Sequence, residues 1–557
     1  METEEPGVRS SQRRAVEDRA VAWLAARRAM LDPRHTHSDT VLFTRKALIE
    51  TAFLVGLRAR LDDAPLDGGY AAILQQVADV AGRPSYREMV AQDEEALLLY
   101  AGTYAALRLC GREDLEFRRI IQQAAAGGYA AAFERVPYRQ LDLLHTLYLC
   151  GIEHDLPAID AVLPFTLLCQ NPNVLKLADR DIYAVTHTIF YATDFGRRTP
   201  VWPGDYSSGS AVELLEALLI LAEARTNADL VGELLCCLYC LGVNDSDAAD
   251  RAWAFLESVQ EDNGRVNGPE GIIHPGIDKG NEDFRHWAEG YHTTIVTALA
   301  GLLRRTPRRR TGPRPNLPTA EVALTAPLRR AVVWLCDQSL EQDPRVGIAG
   351  VTAAAIGAAA IQEHHLARPA LEHYAAVLSE APRTLWQEQG MEVAGEFALA
   401  LHAAGANCPS LNDFLKATAD VVSSLRTVPA DIADGLHRLI SLGFLGPSAA
   451  AVIPQQSTPY EQRSYPLQAA SSLCEARKTY NLGQLAGTIR TLAQGGWGRH
   501  RITQDAVALL LAQQNITGAF GYPTSDNKLA RGQAQRSWTR SAVAALAIVV
   551  RASHKEH

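Results

Sequence analysis

Four positions along the chain set a carboxylate three residues ahead of a histidine or cysteine: Asp142 before His145, Glu233 before Cys236, Glu289 before His292 and Asp434 before His437. Residues three apart share one face of a helix. A carboxylate beside an imidazole fixes its tautomer and raises its pKa, which suits general acid–base work. A fifth segment carries more polar groups than any of these. Tyr183, His187, Tyr191 and Asp194 fall at steps of four, four and three, a single stripe of a helix, with Asp179 and Asp181 just ahead. An acid, an imidazole and two phenols on one face make a proton-transfer set. The candidate catalytic residues are therefore His187, His292, Asp181, Tyr191, Asp194, Glu289, His145 and Asp142. Each also has a plain structural reading, as a satisfied core histidine, a cap, or a hydrogen-bond stripe that pins an inner helix.

Metal chemistry is the other use of such residues. His145, His187, Cys236 and His292, brought from four helices, could bind zinc tetrahedrally. Paired acid-x-x-His motifs also serve di-iron bundles, which need two further glutamates on facing helices. Neither arrangement has the local spacing of a sequence-encoded metal motif. No cofactor is expected, with zinc or iron as the open alternatives. Cys236-Cys237-x-x-Cys240 lies in an apolar run and reads as buried structural thiols. His35-Thr-His37-Ser-Asp39 precedes a helix over 41–56 and reads as its capping loop.

The elements that hold these residues are helices. Apolar positions return at three- and four-residue steps through most of the chain and strand-like alternation is nearly absent, so the fold class is all-α. Glycine follows the apolar helices where a left-handed C-cap needs it, at Gly111, Gly151, Gly242, Gly405 and Gly443. The intervals leave room for two helices and two short loops, a tandem helical-hairpin repeat. Asp142–Gly151, Glu233–Gly242 and Asp434–Gly443 overlay without a gap, and the segments around His187 and His292 join them more loosely. Helix pairs repeated in this way build an open solenoid or a closed α/α toroid. In a toroid, neighbouring inner helices lie roughly 8–10 Å apart, so His145, His187, Cys236 and His292 would form one layer around a shared pocket. One spacing departs from this: His145 and His437 lie six residues before their glycine and His292 nine before Gly301, which predicts a different depth for His292.

The chain divides at an Arg/Pro-rich stretch, read as a solvated linker over 304–327. Residues 1–14 are charged and polar and are expected to fray. Between them lies a first half, 15–303, and beyond the linker a second, 328–552. The halves close alike. Ala252–Gln260, Gly264 and the helix from Gly290 end the first; Ala506–Gln514, Gly518 and the helix from Ser537 end the second.

That ending carries a family resemblance. A helix closing on Gln, a polar turn with Gly, then a helix opening on His-Thr or Ser-Ala before Ala-Leu resembles the α/α toroid superfamily, which includes class II terpene cyclases, protein prenyltransferase β-subunits and lanthionine cyclases. The resemblance implies toroid domains with a central cavity. It does not bring one activity with it. His292 occupies the place of the prenyltransferase zinc histidine, but between Gln260 and Tyr291 there are Asp278 and Asp283 and no cysteine. Asp179-Arg-Asp181 and Asp245-Ser-Asp247 fall short of the terpene cyclase Asp-x-Asp-Asp motif. The Cys-His pair of lanthionine cyclases does not occur.

Composition sets the remaining bounds. A hydrophobic content of 47% with 21% charge fits large buried cores. A net charge of −9 argues against nucleic acid or anionic lipid as a general partner. No apolar run approaches the ~18 residues of a spanning helix. Nine scattered cysteines fit reduced thiols and a cytoplasmic location. The expectation is a toroid-type enzyme of specialised metabolism, performing protonation-driven cyclisation or related acid–base chemistry on a hydrophobic or peptide substrate. The alternative is a non-catalytic helical-repeat scaffold that binds a peptide or partner protein.

Overall fold

Periodic apolar residues become helices throughout the computed structural model, which describes residues 6–32, 41–92, 97–126, 134–269, 282–306, 323–422, 459–524 and 527–554. Among the described residues there is no strand, only the isolated bridges Gln260↔Val266 and Gln514↔Phe520. No helix among them is long and apolar enough to cross a membrane. The expected glycine stops hold at Gly111, Gly151, Gly242 and Gly405, all with positive φ. There an L side chain would be strained and glycine is not. Gly443 lies outside the described residues, as do Asp434, His437, His35, His37 and Asp278. All nine cysteines are free.

The chain divides into two compact units, Met1–Leu317 and Pro318–His557. The division falls inside the stretch expected as a linker. The first unit holds helices α1 (Pro6–Ala26), α2 (Val41–Leu61), α3 (Gly68–Ala81), α4 (Pro84–Gln92), α5 (Leu97–Leu109) and α6 (Leu115–Ala126). It continues with α7 (Pro137–Cys150), α8 (Asp179–Thr193), α9 (Ser208–Ala224), α10 (Ala228–Cys240), α11 (Asp247–Val259) and α12 (Glu282–Arg305). Helix α1 begins at Pro6, inside the stretch expected to fray, since proline in the first turn is already set for helical φ. Six helices pack in succession: α2 on α5, α5 on α7, α7 on α8, α8 on α10, α10 on α12, and α12 on α2 again. The others lie against this series, with α1 on α12, α3 on α5, and α9 and α11 on α10.

Helix α10 positions the site. Every one of its residues is buried, which fits a helix that is apolar all round. Its only charged residues are Asp229 and Glu233. Asn227 caps it, its Oδ1 accepting the Leu230 N–H at 3.1 Å. Cys237 faces the Thr186 carbonyl and Cys236 the Val296 carbonyl, so the Cys236–Cys240 group is core, as expected.

In the second unit α13 (Thr325–Leu340), α14 (Pro344–Ala360), α15 (Arg368–Val377), α16 (Arg383–Ala404) and α17 (Pro409–Val422) come first. They are followed by α18 (Pro459–Lys478), α19 (Leu482–Leu492), α20 (Arg501–Leu511) and α21 (Lys528–His554). Each unit is closed by the same lock between its first helix and its final turn. In the first, the Gln260 amide donates to the carbonyls of Val16 and Gly264 and accepts from Arg19. Gly264, at φ 97°, lets the turn press against α1: a Cβ there would stand 2.1 Å from the Arg19 carbonyl oxygen. Thr294 of α12 then takes the Val266 N–H at 3.0 Å.

Candidate functional site

The stripe on α8 joins two polar centres. At one end Tyr183 donates from its hydroxyl to Asp229 Oδ2 at 2.6 Å, and His187 Nε2 stands 3.7 Å from Glu233 Oε1. At the other end Asp194 pairs with His145 Nε2 at 2.9 Å and takes Arg60 Nη2 at 2.6 Å. Tyr191 lies between, its ring 5.9 Å from that of His187 and 5.4 Å from that of His145. Asp194 and Phe195 sit at φ 49° and 50°, where the chain leaves α8. Aspartate tolerates that left-handed conformation; phenylalanine does so at a cost that its stacking on Phe190 offsets.

The first centre collects ionisable groups from four helices. Asp229 and Glu233 lie one turn apart on α10, so both face the same way, and their side chains are only 2% and 3% exposed. Thr293 donates to Asp229 Oδ1 at 2.9 Å and Thr186 donates to Glu233 Oε2. The other carboxylate oxygens converge on His292 of α12, whose Nε2 stands 3.6 Å from Asp229 Oδ2 and 3.5 Å from Glu233 Oε1. Behind it Nδ1 faces Glu50 of α2 at 3.3 Å, and Glu50 also accepts from Tyr291 at 2.9 Å and pairs with Lys46 at 3.4 Å.

Electrostatics follow from that geometry. Burial works against a charged His292, but Asp229, Glu50 and Glu233 outweigh it and hold the imidazole well above its ordinary pKa. Burial likewise opposes ionisation of Glu50, and Lys46 with His292 overcomes it, bringing the carboxyl down to about 2. Glu233 is driven below the carboxylate range, His187 and His292 prevailing over burial. Burial, then the Asp229 carboxylate, pushes the Tyr183 phenol far up, so it stays a donor. Three buried carboxylates thus face Lys46, His187 and His292. Desolvating such a group costs several kcal/mol per ion, and helix packing alone does not call for it.

Asp229, Glu233 and His292 are, among the described residues, the set able to hold a metal ion, their ligand atoms lying within 4.8 Å of one another. Four ligands at about 2.1 Å around a tetrahedral ion stand about 3.4 Å apart, close to the His292 distances. A proton on Nε2 and an ion at that point exclude each other. His187 differs from His292 in its setting. It meets one carboxylate rather than three, and the rings of Tyr138, Tyr183, Phe190 and Tyr191 surround it at 5.9–6.5 Å.

The expected residues divide between these centres and elsewhere. His187 and His292 meet at the first through Glu233; His145 and Asp194 form the second, with Tyr191 between. The layer of His145, His187, Cys236 and His292 does not form: Cys236 faces backbone, and His145 lies in the second centre. The acid-x-x-His pairings fail as well. Glu289 reaches Arg265 at 3.7 Å and its side chain is half exposed. Asp142 takes Arg139 at 3.2 Å and faces the Tyr191 phenol, not His145. Asp181 caps its own helix, accepting the Ala178 N–H at 2.9 Å. Residues three apart share a face, but each of these histidines turns to the neighbouring helix, where its carboxylate comes from. Glu50, Lys46, Asp229, Thr186 and Thr293 were not expected. The signal for Asp229 and Glu233 lay in the sequence all along: two acids one turn apart in an otherwise apolar helix.

A family model described as a domain of unknown function, DUF6895, matches residues 17–302, just over half of the chain, and the chain belongs to that family. The matched region is the first unit, with both centres in it. No curated protein and no solved structure matches significantly.

Proposed function

We propose that the first unit is an enzyme of the α/α toroid type, performing acid–base chemistry on a hydrophobic or peptide substrate at the His187–Glu233–His292 centre. The succession of packed helices from α2 round to α12 supports the toroid reading, because it brings α2, α8, α10 and α12 to one place. One observation carries the activity: Glu50, His187, Asp229, Glu233 and His292 converge from those four helices inside an apolar unit. The roles divide by setting. His292, held between three carboxylates, keeps its proton and fixes the orientation of Glu233 and Asp229. His187 has one carboxylate behind it and a wall of aromatic rings around it, so it exchanges the proton with the substrate. The phenols of Tyr183 and Tyr191 extend the donor set along α8.

The test is differential turnover. Wild-type protein and the variants His187→Ala and His292→Ala are incubated with a small-molecule and peptide extract of cells that express the gene, and the mixtures are compared by mass spectrometry. The expected result is a compound consumed by wild type and left untouched by both variants, each still helical by circular dichroism. Equal turnover in both variants would remove the reading. A partner protein captured equally by wild type and variants, with no compound consumed, would favour the scaffold instead. Elemental analysis is expected to find zinc and iron substoichiometric; one ion per chain would turn the Asp229–Glu233–His292 set to metal chemistry.

A further inference from the structure

Beside the second centre lies a cavity of about 410 Å³, bounded by Arg60, His145, Tyr148, Tyr191, Asp194, Arg197 and Arg198, with Ile159 on its apolar wall. That is within the size range of small-ligand sites. We propose that it binds a small organic acid, taking the carboxylate on its arginines and the aromatic or apolar body against Tyr148, Ile159 and Tyr191. The proposal stands apart from the acid–base reading, because, Tyr191 aside, it rests on different residues and on binding alone.

Charge and hydrogen-bond accounting carry it. Arg60 is bound to Asp194 at 2.6 Å, Arg197 reaches the same carboxylate at 4.0 Å, and Arg198 meets Asp160 at 2.5 Å. Three guanidinium groups therefore share two carboxylates, and one positive charge is left over. A monoanion balances it; a phosphate dianion would leave an excess of negative charge. One buried donor of a wall residue also lacks a partner, Arg60 Nη1. An unpaired buried donor costs about 1–3 kcal/mol. Arginine forks match carboxylate geometry and bind it through paired charge-assisted hydrogen bonds. Arg197 is the most exposed of the three, at 47%; its Nη1 donates to the Arg60 carbonyl at 2.9 Å and its nearest carboxylate lies at the limit of an ion pair, which leaves its remaining N–H groups for a ligand. Tyr148, over which the Arg60 guanidinium sits, gives the ring surface for the ligand's body.

Calorimetric titration of the full chain with phenylacetate, phenylacetamide and phenyl phosphate tests this. Saturable binding of phenylacetate is expected, with the neutral amide at least about tenfold weaker and phenyl phosphate weaker than the acid. Arg197→Gln, at a half-exposed position, is expected to keep the unfolding temperature and lose about tenfold in phenylacetate affinity. His187→Ala is expected to bind phenylacetate as wild type does, whatever becomes of turnover, which separates the two readings. Three results overturn the proposal: no saturable binding of the acid, equal binding of acid and amide, or unchanged affinity in Arg197→Gln. Tighter binding of phenyl phosphate would overturn the choice of a carboxylate.

Discussion

Among the described residues, the two units build one lock twice and the ionisable centre once. In the second unit the Gln514 amide donates to the carbonyls of Pro327 and Gly518 and accepts from Arg330, as Gln260 does in the first. Gly518 stands at φ 95° with its missing Cβ 2.4 Å from the Arg330 carbonyl oxygen, and Thr539 takes the Phe520 N–H at 2.9 Å. The register then places four residues of the centre against counterparts. Asn481 caps α19 through the Gln484 N–H as Asn227 caps α10, so Asp229 corresponds to Gly483 and Glu233 to Gly487. With Thr539 set on Thr294, His292 corresponds to Ser537 and Thr293 to Trp538. Trp538 stands 4.0 Å from the place of a Gly483 Cβ, where Thr293 meets Asp229 in the first unit. Helix α14, packed on α21 as α2 is on α12, has no acid or histidine in its sequence. The lock forms without the centre among the described residues, and so the buried charges of the first unit answer to something other than the lock.

The largest effect expected from that contrast is in the first unit alone. His292→Ala removes a cation from among three carboxylates and leaves Lys46 beside Glu50 and His187 beside Glu233, which should cost about 3–5 kcal/mol. The triple change Asp229→Gly, Glu233→Gly and His292→Ser copies the second unit's residues and removes acids together with the cation. Denaturant unfolding should place the triple variant above the single one in stability, despite two glycines in a helix at about 1 kcal/mol each. A triple variant less stable than His292→Ala would mean that the acids are held by Thr186, Thr293 and Tyr183 regardless of the imidazole, and the comparison would break.

Next in size is the lock itself, which should respond alike in both units. Gly264→Ala and Gly518→Ala each force a Cβ against a backbone carbonyl at a φ that L side chains avoid. Each should cost about 2–4 kcal/mol. A cost confined to one unit would show that the two turns, though alike in hydrogen bonding, are not equally rigid. Gln260→Ala and Gln514→Ala follow. Each strips a side chain of bonds to two carbonyls and an arginine and should cost about 2–3 kcal/mol. Urea transitions followed on variants of each unit in turn would measure all four.

The likeness of the two unit ends was readable in the sequence because its letters are local, whereas the Gln260 bonds to Val16 and Arg19 of α1 were not. Gln260, Gly264 and Thr294 lie within one turn and one helix start, and the same letters recur at Gln514, Gly518 and Thr539. Helices and their glycine stops were readable for the same reason, since period and capping are properties of neighbouring residues. The centre was readable only in part. His187 and His292 stood out by type, and the α8 stripe named Tyr183, Tyr191 and Asp194 on one face. Their partners did not, because Glu50 lies 242 positions from His292 and Asp229 63, and only helix-on-helix packing unites them. Rules of spacing along one helix gave Glu289 and Asp142 as the acids, and the chain uses acids from the adjoining helices. Asp181 was drawn toward the site by its neighbours, while its position in the first turn made it a cap.

The smallest effect is in pH, and its sign separates the units again. Glu50 and Glu233 have pKa values below the ordinary carboxylate range in the folded chain. Their contribution is full above the unfolded value of about 4.5 and is lost as pH falls through the folded values, about 2 for Glu50. His292 is shifted the other way. Its contribution is full below the unfolded value of about 6.5 and fades as pH rises through the raised folded one. Stability of the first unit should therefore be level between about pH 4.5 and 6.5 and decline on both sides. Partial exposure of Glu50 and His292 limits the change to about 1–2 kcal/mol on each side. In the triple glycine–serine variant the alkaline decline should vanish, since His292, the imidazole held above its ordinary pKa, is gone, while a part of the acid limb owed to Glu50 and Lys46 persists. Persistence of the alkaline decline in that variant, read from urea midpoints across pH, would assign it to a group other than His292.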